Sequence, residues 1–440
     1  MSESSRPEPF RRVLGKSLLL ILLSAVLGTG LLILSEFLPA DPMDRNLARS
    51  ADIFQATGKF PNLHTWCSSR LDNYSDAIML LMSGTVSREK PAEYAMLAWH
   101  GDMGDLDPVQ IFVKHYIDGE PYEKYVPYSR YWHGYGVIYR LLLQVFDYHR
   151  IRQLNLLLQV ALILLLCWEM YRAGARGRGM MLPLLITWAM LGPAVMGMNL
   201  EYSLGFYVSM LSSLAALVLF RKGRLREREE MVLLFSGICT AYWDVLTYPM
   251  AALGMPLAVI FCLDPDGNLP GALKHLLRLG FLWGLGYGLM WALKWAIGTA
   301  LTGYNCFEDA LATLLLRTSG EAYGETVTAL DTVLSNVRYF FGTPFSWLFA
   351  AFLLGEAGLL DLRMPREKAA FRALGMRLLP FVLIAAIPMV WCVVTKNHAS
   401  IHFWLASKGL IVTVMALMCG LDQARRALTG SGAARRAAAG

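Results

Sequence analysis

Two aspartates stand four residues apart in RLDNYSDAIML (70–80), Asp72 and Asp76. On a helix this spacing puts both carboxylates on one face. Paired carboxylates can divide a general base from an orienting group, because each raises the other's proton affinity. The structural alternative is that Asp72 caps a helix starting near Asn73 while Asp76 favours its first turn. RYWHGY (130–135) gathers Arg130, His133 and Tyr135 with two further rings. Arg130 suits a phosphate and the rings suit a sugar, or the cluster is an aromatic belt at headgroup level. AYWDVLTYP (241–249) sets Asp244 within an apolar hairpin, and MWALKWAIG (290–298) sets Lys294 between two tryptophans. A charge at such depth is a functional-site hypothesis by default. Against it, Asp244 can hold a broken helix through backbone N–H groups, and Lys294 can snorkel to the headgroups, where it also suits a lipid phosphate. In KNHASIHFW (396–404), His398 and His402 share a helical face and Lys396 precedes them. That set suits a phosphate or acceptor. A divalent metal has weaker support, since neither an intervening Glu nor a third ligand accompanies the pair.

The elements that must position these residues are mostly apolar. The 440 residues are 55% hydrophobic and 17% charged, where a soluble domain carries about 25% charge. Ten spans can be placed: 17–39, 153–171, 180–199, 203–221, 231–246, 247–263, 279–301, 341–361, 377–395 and 403–421. Residues 231–263 divide at TYPM, because one helix of that length would reach about 50 Å and Pro249 cannot donate to its ladder. Arg6, Arg11, Arg12 and Lys16 precede the first span, Arg221 to Arg228 and Arg363 to Arg377 fill later loops, and Arg425, Arg426, Arg435 and Arg436 follow the last. By the positive-inside rule both termini are cytoplasmic. The net charge of +6 lies in these short loops, so it does not indicate nucleic acid.

The expected organisation is a tail over 1–16, a first span over 17–39, an outer loop over 40–152, nine further spans over 153–421 and a disordered tail over 422–440. The outer loop holds 13 Asp and Glu against 9 Lys and Arg from 41 to 130. HGYGVIYRLLLQVF (133–146), with Arg140 at its centre, reads as an interfacial or re-entrant helix, since that charge is expensive in lipid. Cys67 and Cys306 are the two cysteines expected outside, where one disulfide can form. There is no P-loop, Rossmann fingerprint or serine nucleophile elbow.

Together these features resemble the GT-C glycosyltransferases, polytopic enzymes that take sugars from polyprenyl-phosphate carriers. YSRYWHGYGVIYRLLLQVFDYHRIRQLNLLL (128–158) looks like their segment of Pro-rich entry, amphipathic helix and Arg before the next span, with His133–Gly134 in place of the paired prolines. LDNYSDAIML, RYWHGY, YWDVLTYP, GYGLMWALKW and NHASIHFW are similar to signatures of a group of bacterial multi-pass membrane proteins placed with those enzymes. Where that group carries an Arg after the last motif, this chain has Ser407–Lys408.

The resemblance implies an all-α membrane fold of about ten spans with a large first periplasmic loop containing interfacial helices. It implies an inverting transferase in the bacterial cytoplasmic membrane, whose first-loop carboxylate is the base. That role falls on Asp72 or Asp76, with Asp44 as the other candidate. The donor would be a polyprenyl-phosphate sugar held by Arg130, Lys294 or Lys396, and the acceptor a cell-envelope glycan or lipid. The alternative is a transporter or flippase of lipid-linked sugars, for which intramembrane Asp244 and Lys294 would serve an ion-coupled path.

Overall fold

The computed structural model describes residues 10–265, 268–322, 324–361 and 368–438. Arg6, Arg363 and Arg366, used above to orient the chain, lie outside them. Six helices are long and apolar enough to cross a membrane: Phe10–Ser35, Tyr148–Arg172, Leu200–Arg221, Leu269–Thr302, Leu374–Val394 and Phe403–Leu428. The chain is a multi-pass membrane protein built from helices, with two small two-stranded antiparallel sheets among the described residues. On Phe10–Ser35 the residues Leu19, Leu23, Val26, Leu27 and Leu34 are exposed, while Ile21, Ala25 and Leu32 are buried. The exposed stripe is apolar because lipid, not water, is its solvent.

Three of the other expected spans, 231–246, 247–263 and 341–361, fall on the shorter or more polar helices Leu225–Trp243, Met250–Leu263 and Ser346–Asp361. The expected span 180–199 is not one helix: Gly174–Leu191 stops at Gly192, which has a positive φ, and a short helix Pro193–Gly197 follows. The break at TYPM is present. One helix ends at Trp243 and the next begins at Met250 with Pro249 as its N-cap. Met250–Leu263 is buried along nearly its whole length and packs on Leu200–Arg221 and the last helix, so protein rather than lipid surrounds it. Leu225–Trp243 lies closely along Leu269–Thr302. A Cβ at Gly237 would collide with the Trp283 carbonyl, and one at Gly286 with the Leu234 carbonyl. Two glycines therefore let these backbones touch.

Between the first two spans the loop folds into its own small domain. Short helices Ala40–Ala48, Ala51–Thr57, Asn73–Gly84, Pro108–Val113 and Tyr135–Leu143 enclose Met43, Leu47, Phe54, Leu80, Phe112 and Tyr139, while Pro91–Leu97 packs on Phe10–Ser35 and Leu269–Thr302. Leu200 and Leu204 of the bundle complete that core. Asp107 starts Pro108–Val113 with a full capping box, Gln110 answering its backbone N–H. His100–Asp102 pairs with Lys124–Val126, His100 opposite Val126.

Arg140 sits in the helix Tyr135–Leu143, as expected for 133–146, and its charge is held inside the protein. Its guanidinium donates to Glu36 at 2.6 Å, to the Ser35 hydroxyl at 2.8 Å and to the Ser83 carbonyl at 3.2 Å.

Two expectations fail. Cys67 and Cys306 are both free, and Cys306 is buried at the start of Cys306–Thr318 rather than exposed. The segment from Asp422, expected to be disordered, continues the helix Ile411–Ala438. It is rich in alanine, the best helix former. Asp422 also bonds Arg425 and Arg426, each at 2.6 Å, three and four residues on.

Candidate functional site

The two aspartates on Asn73–Gly84 have separate surroundings. Asp72 is the N-cap and accepts from the Ser75 N–H at 2.9 Å. Its other oxygen accepts from the Trp404 indole N–H at 2.8 Å, at the start of the last span. Asp76 faces the N-terminus of Leu200–Arg221. It accepts from the Leu200 N–H at 2.9 Å, from the Glu201 N–H at 3.0 Å and from the Tyr148 hydroxyl. A carboxylate at a helix N-terminus answers both the free N–H groups and the helix dipole. Asp76 is fully buried, and burial raises its pKa to about 6 against the opposing pull of Arg152. It therefore docks the loop domain onto the bundle, and its acceptor positions are occupied.

Asp72 lines a cavity of about 460 Å³. Glu201 lines it too, from the first turn of Leu200–Arg221. Glu201 is 4% exposed and its Oε2 has no hydrogen-bond partner. Ser75 lies in the same wall beside both carboxylates. Other walls carry cations. Arg130 donates to Asp309 at 3.2 Å and stacks over Tyr128 at 4.1 Å. Arg317 donates to the Asn397 side chain at 3.3 Å. The buried Nε of each arginine is unpartnered. Lys59, paired with Asp107 at 3.1 Å, and Tyr74 also line the cavity.

His398 and His402 lie 5.1 Å apart, ring to ring, in the same cavity. Burial lowers both, His402 to about 4, and Arg317 lowers them further. Both are neutral at physiological pH. Neither His398 nitrogen has a well-aligned partner, although its ring lies beside the Leu246 backbone. Such an imidazole can donate to or accept from a bound group without adding charge. His133 is instead fully committed. Its Nε2 lies 2.8 Å from the Tyr128 carbonyl, so that nitrogen carries the proton and Nδ1 accepts from the Tyr135 hydroxyl at 2.8 Å. Burial takes His133 down to about 3, and φ of +55° at this residue turns the chain into Tyr135–Leu143.

Of the residues singled out in the sequence, Asp72, Arg130, His133, Tyr135, His398 and His402 meet in this cavity. Asp76, Asp244, Lys294 and Lys396 are not among its lining residues. Lys294 is buried and donates to the Met96 carbonyl, tying Leu269–Thr302 to the loop domain. Asp244 accepts from the Thr247 N–H at 3.1 Å and from its hydroxyl, closing the turn before Met250. These two intramembrane charges hold backbone in place, as the structural alternative for Asp244 expected. Lys396 lies beside Gly320.

Glu201 and Arg317 were missed. Glu201 reads in sequence as an ordinary first-turn acid after the Asn199 cap, yet it falls in a short turn between two expected spans on the side of the large loop. That position was the available signal. Arg317 carried none. Among the described residues no three of His, Cys, Asp and Glu come together to hold a metal ion, so the divalent metal gains no donor set. No family model matches the chain, and neither a curated protein nor a solved structure matches it.

Proposed function

We propose that this chain is a GT-C-type inverting glycosyltransferase of the bacterial cytoplasmic membrane, with about ten spans, both termini cytoplasmic and the loop domain periplasmic. It moves a sugar from a polyprenyl-phosphate donor to a hydroxyl of a cell-envelope glycan or lipid. The observation that carries the reading is one cavity shared by two buried carboxylates, Asp72 and Glu201, and two arginines, Arg130 and Arg317. Asp72 takes the proton of the acceptor hydroxyl as its oxygen attacks the anomeric carbon from the face opposite the phosphate. Glu201 orients that hydroxyl through its unpartnered oxygen. The bond from the anomeric carbon to the carrier phosphate breaks, and its electron pair leaves on the phosphate. That group is already anionic, so Arg130 and Arg317 aid its departure by charge rather than by proton transfer. Neutral His398 and His402 add hydrogen bonds to sugar or phosphate. No nucleic acid enters this scheme.

The transporter alternative drew on Asp244 and Lys294, and the hydrogen bonds of both to their own chain favour the transferase reading over it. The test is purified protein in lipid nanodiscs with a panel of polyprenyl-phosphate sugars, with released carrier phosphate and product read by mass spectrometry. Transfer that is present in wild type and lost in Asp72→Asn supports the reading. Movement of the lipid-linked sugar across the membrane with no glycosidic bond formed would replace it with the transporter.

A further inference from the structure

A second cavity, of about 570 Å³, lies between Leu200–Arg221 and Leu225–Trp243. One wall is Val208, Leu211, Ala215 and Leu219, a single face of the first helix at spacings of three and four. The other wall includes Met231, Phe235 and Trp243 of the second helix, and Leu211 and Phe235 are exposed. Val208 and Leu219 are eleven residues apart, about 16 Å along a helix. That is close to half of a bilayer's hydrocarbon core of about 30 Å, the depth of one leaflet. At one mouth stand Arg224 and Arg228, four residues apart and both exposed. Arg224 has a loose pair with Glu227 at 3.5 Å, and Arg228 has no ion pair among the described residues. A leaflet-deep apolar slot closed by two guanidinium groups matches a lipid tail under an anionic headgroup.

We infer that this groove binds one anionic phospholipid. Its headgroup meets Arg224 and Arg228, and one acyl chain runs along Leu219 toward Val208. Glu201, in the polar cavity, begins the helix that Arg224 follows, about 30 Å away along its axis. The lipid therefore sits in the leaflet remote from that cavity and is not a sugar donor for it. The inference depends on membrane insertion and is independent of the transferase reading.

The test is native mass spectrometry of the full chain in detergent, titrated with phosphatidylglycerol and with phosphatidylcholine of the same chains. Wild type should retain one phosphatidylglycerol per chain and hold phosphatidylcholine at least about tenfold more weakly, the scale of a lost charge-assisted contact. Arg224→Gln with Arg228→Gln should bring phosphatidylglycerol down to the phosphatidylcholine level with an unchanged thermal midpoint, since both side chains are exposed. Ala215→Trp should fill the groove and lose both lipids. Equal retention of the two lipids by wild type would overturn the proposal. So would unchanged phosphatidylglycerol binding in the double variant, or a lipid-free dimer that buries this face.

Discussion

At the scale of residues, Asp72 and Asp76 have different surroundings, and on the proposed reading substitution separates a base from a docking group. Asp72→Asn should keep helix content, since Asn also caps, while transfer falls at least about 100-fold, the usual scale for loss of a general base. Burial raises the Asp72 pKa above 3.8, and the Ser75 and Trp404 bonds only partly offset that. The base must be ionised to act. The wild-type rate should therefore fall on acidification through a limb lying above 3.8, and this limb should vanish from the residual rate of Asp72→Asn. A rate–pH profile of the same shape in both proteins would remove Asp72 as the base. Asp76→Asn should act on stability instead. Its three donors need acceptor oxygens, and the amide nitrogen of Asn would leave one buried donor orphaned, at about 1–3 kcal/mol. Linkage gives a second readout. The folded Asp76 holds its proton up to about 6, against 3.8 for the ordinary group. Stability from this group is thus lost as pH rises through that window, and Asp76→Asn should remove that part of the slope in thermal midpoints taken from about pH 4 to pH 7.

At the scale of elements, two buried cations fasten the loop domain to the spans. Arg140 on Tyr135–Leu143 holds Glu36 at the end of the first span, with both side chains almost fully buried. Removing one partner strands the other charge, so Arg140→Met should destabilise by about 3–5 kcal/mol. Arg140→Met with Glu36→Gln should recover part of that loss, and a double-mutant cycle of denaturation midpoints measures the coupling. Additive single effects would mean that the pair contributes no coupling. Lys294 fastens Leu269–Thr302 to the Met96 carbonyl. Lys294→Met should lower the thermal midpoint and leave the KM for a lipid-linked donor unchanged. A raised KM with an unchanged midpoint would return Lys294 to donor binding.

At the scale of the whole molecule, the six helices long and apolar enough to cross a membrane and the ten spans expected from sequence are both even counts, so the two termini should lie on one side of the membrane. Reporter fusions at Met1 and Gly440 should report the same compartment, and opposite signals would reverse the sidedness of half the chain. The polar cavity forms where the loop domain, the Leu200–Arg221 N-terminus and the start of the last span meet. It exists only when all three are assembled. Helix Leu225–Trp243 touches Leu269–Thr302 through Gly237 and Gly286. Gly237→Leu should therefore force these two helices apart and lower the thermal midpoint.

The sequence by itself determined the helices and their membrane character, because hydropathy and span length are local properties. It determined the break at TYPM through Pro249, and it offered the Asp72 cap as one of two readings, the one that the Ser75 N–H fits. It also brought forward six of the residues that line the polar cavity. It could not separate Asp72 from Asp76, which share a helical face until Leu200–Arg221 arrives to occupy one of them. Nor could it show that Lys294 and Asp244 are tied to backbone, since a carbonyl partner leaves no mark in the pattern of side chains. Glu201 and Arg317 join Asp72 from distant segments of the chain. Only the packing of helices brings such residues together, because no periodicity or spacing spans those distances.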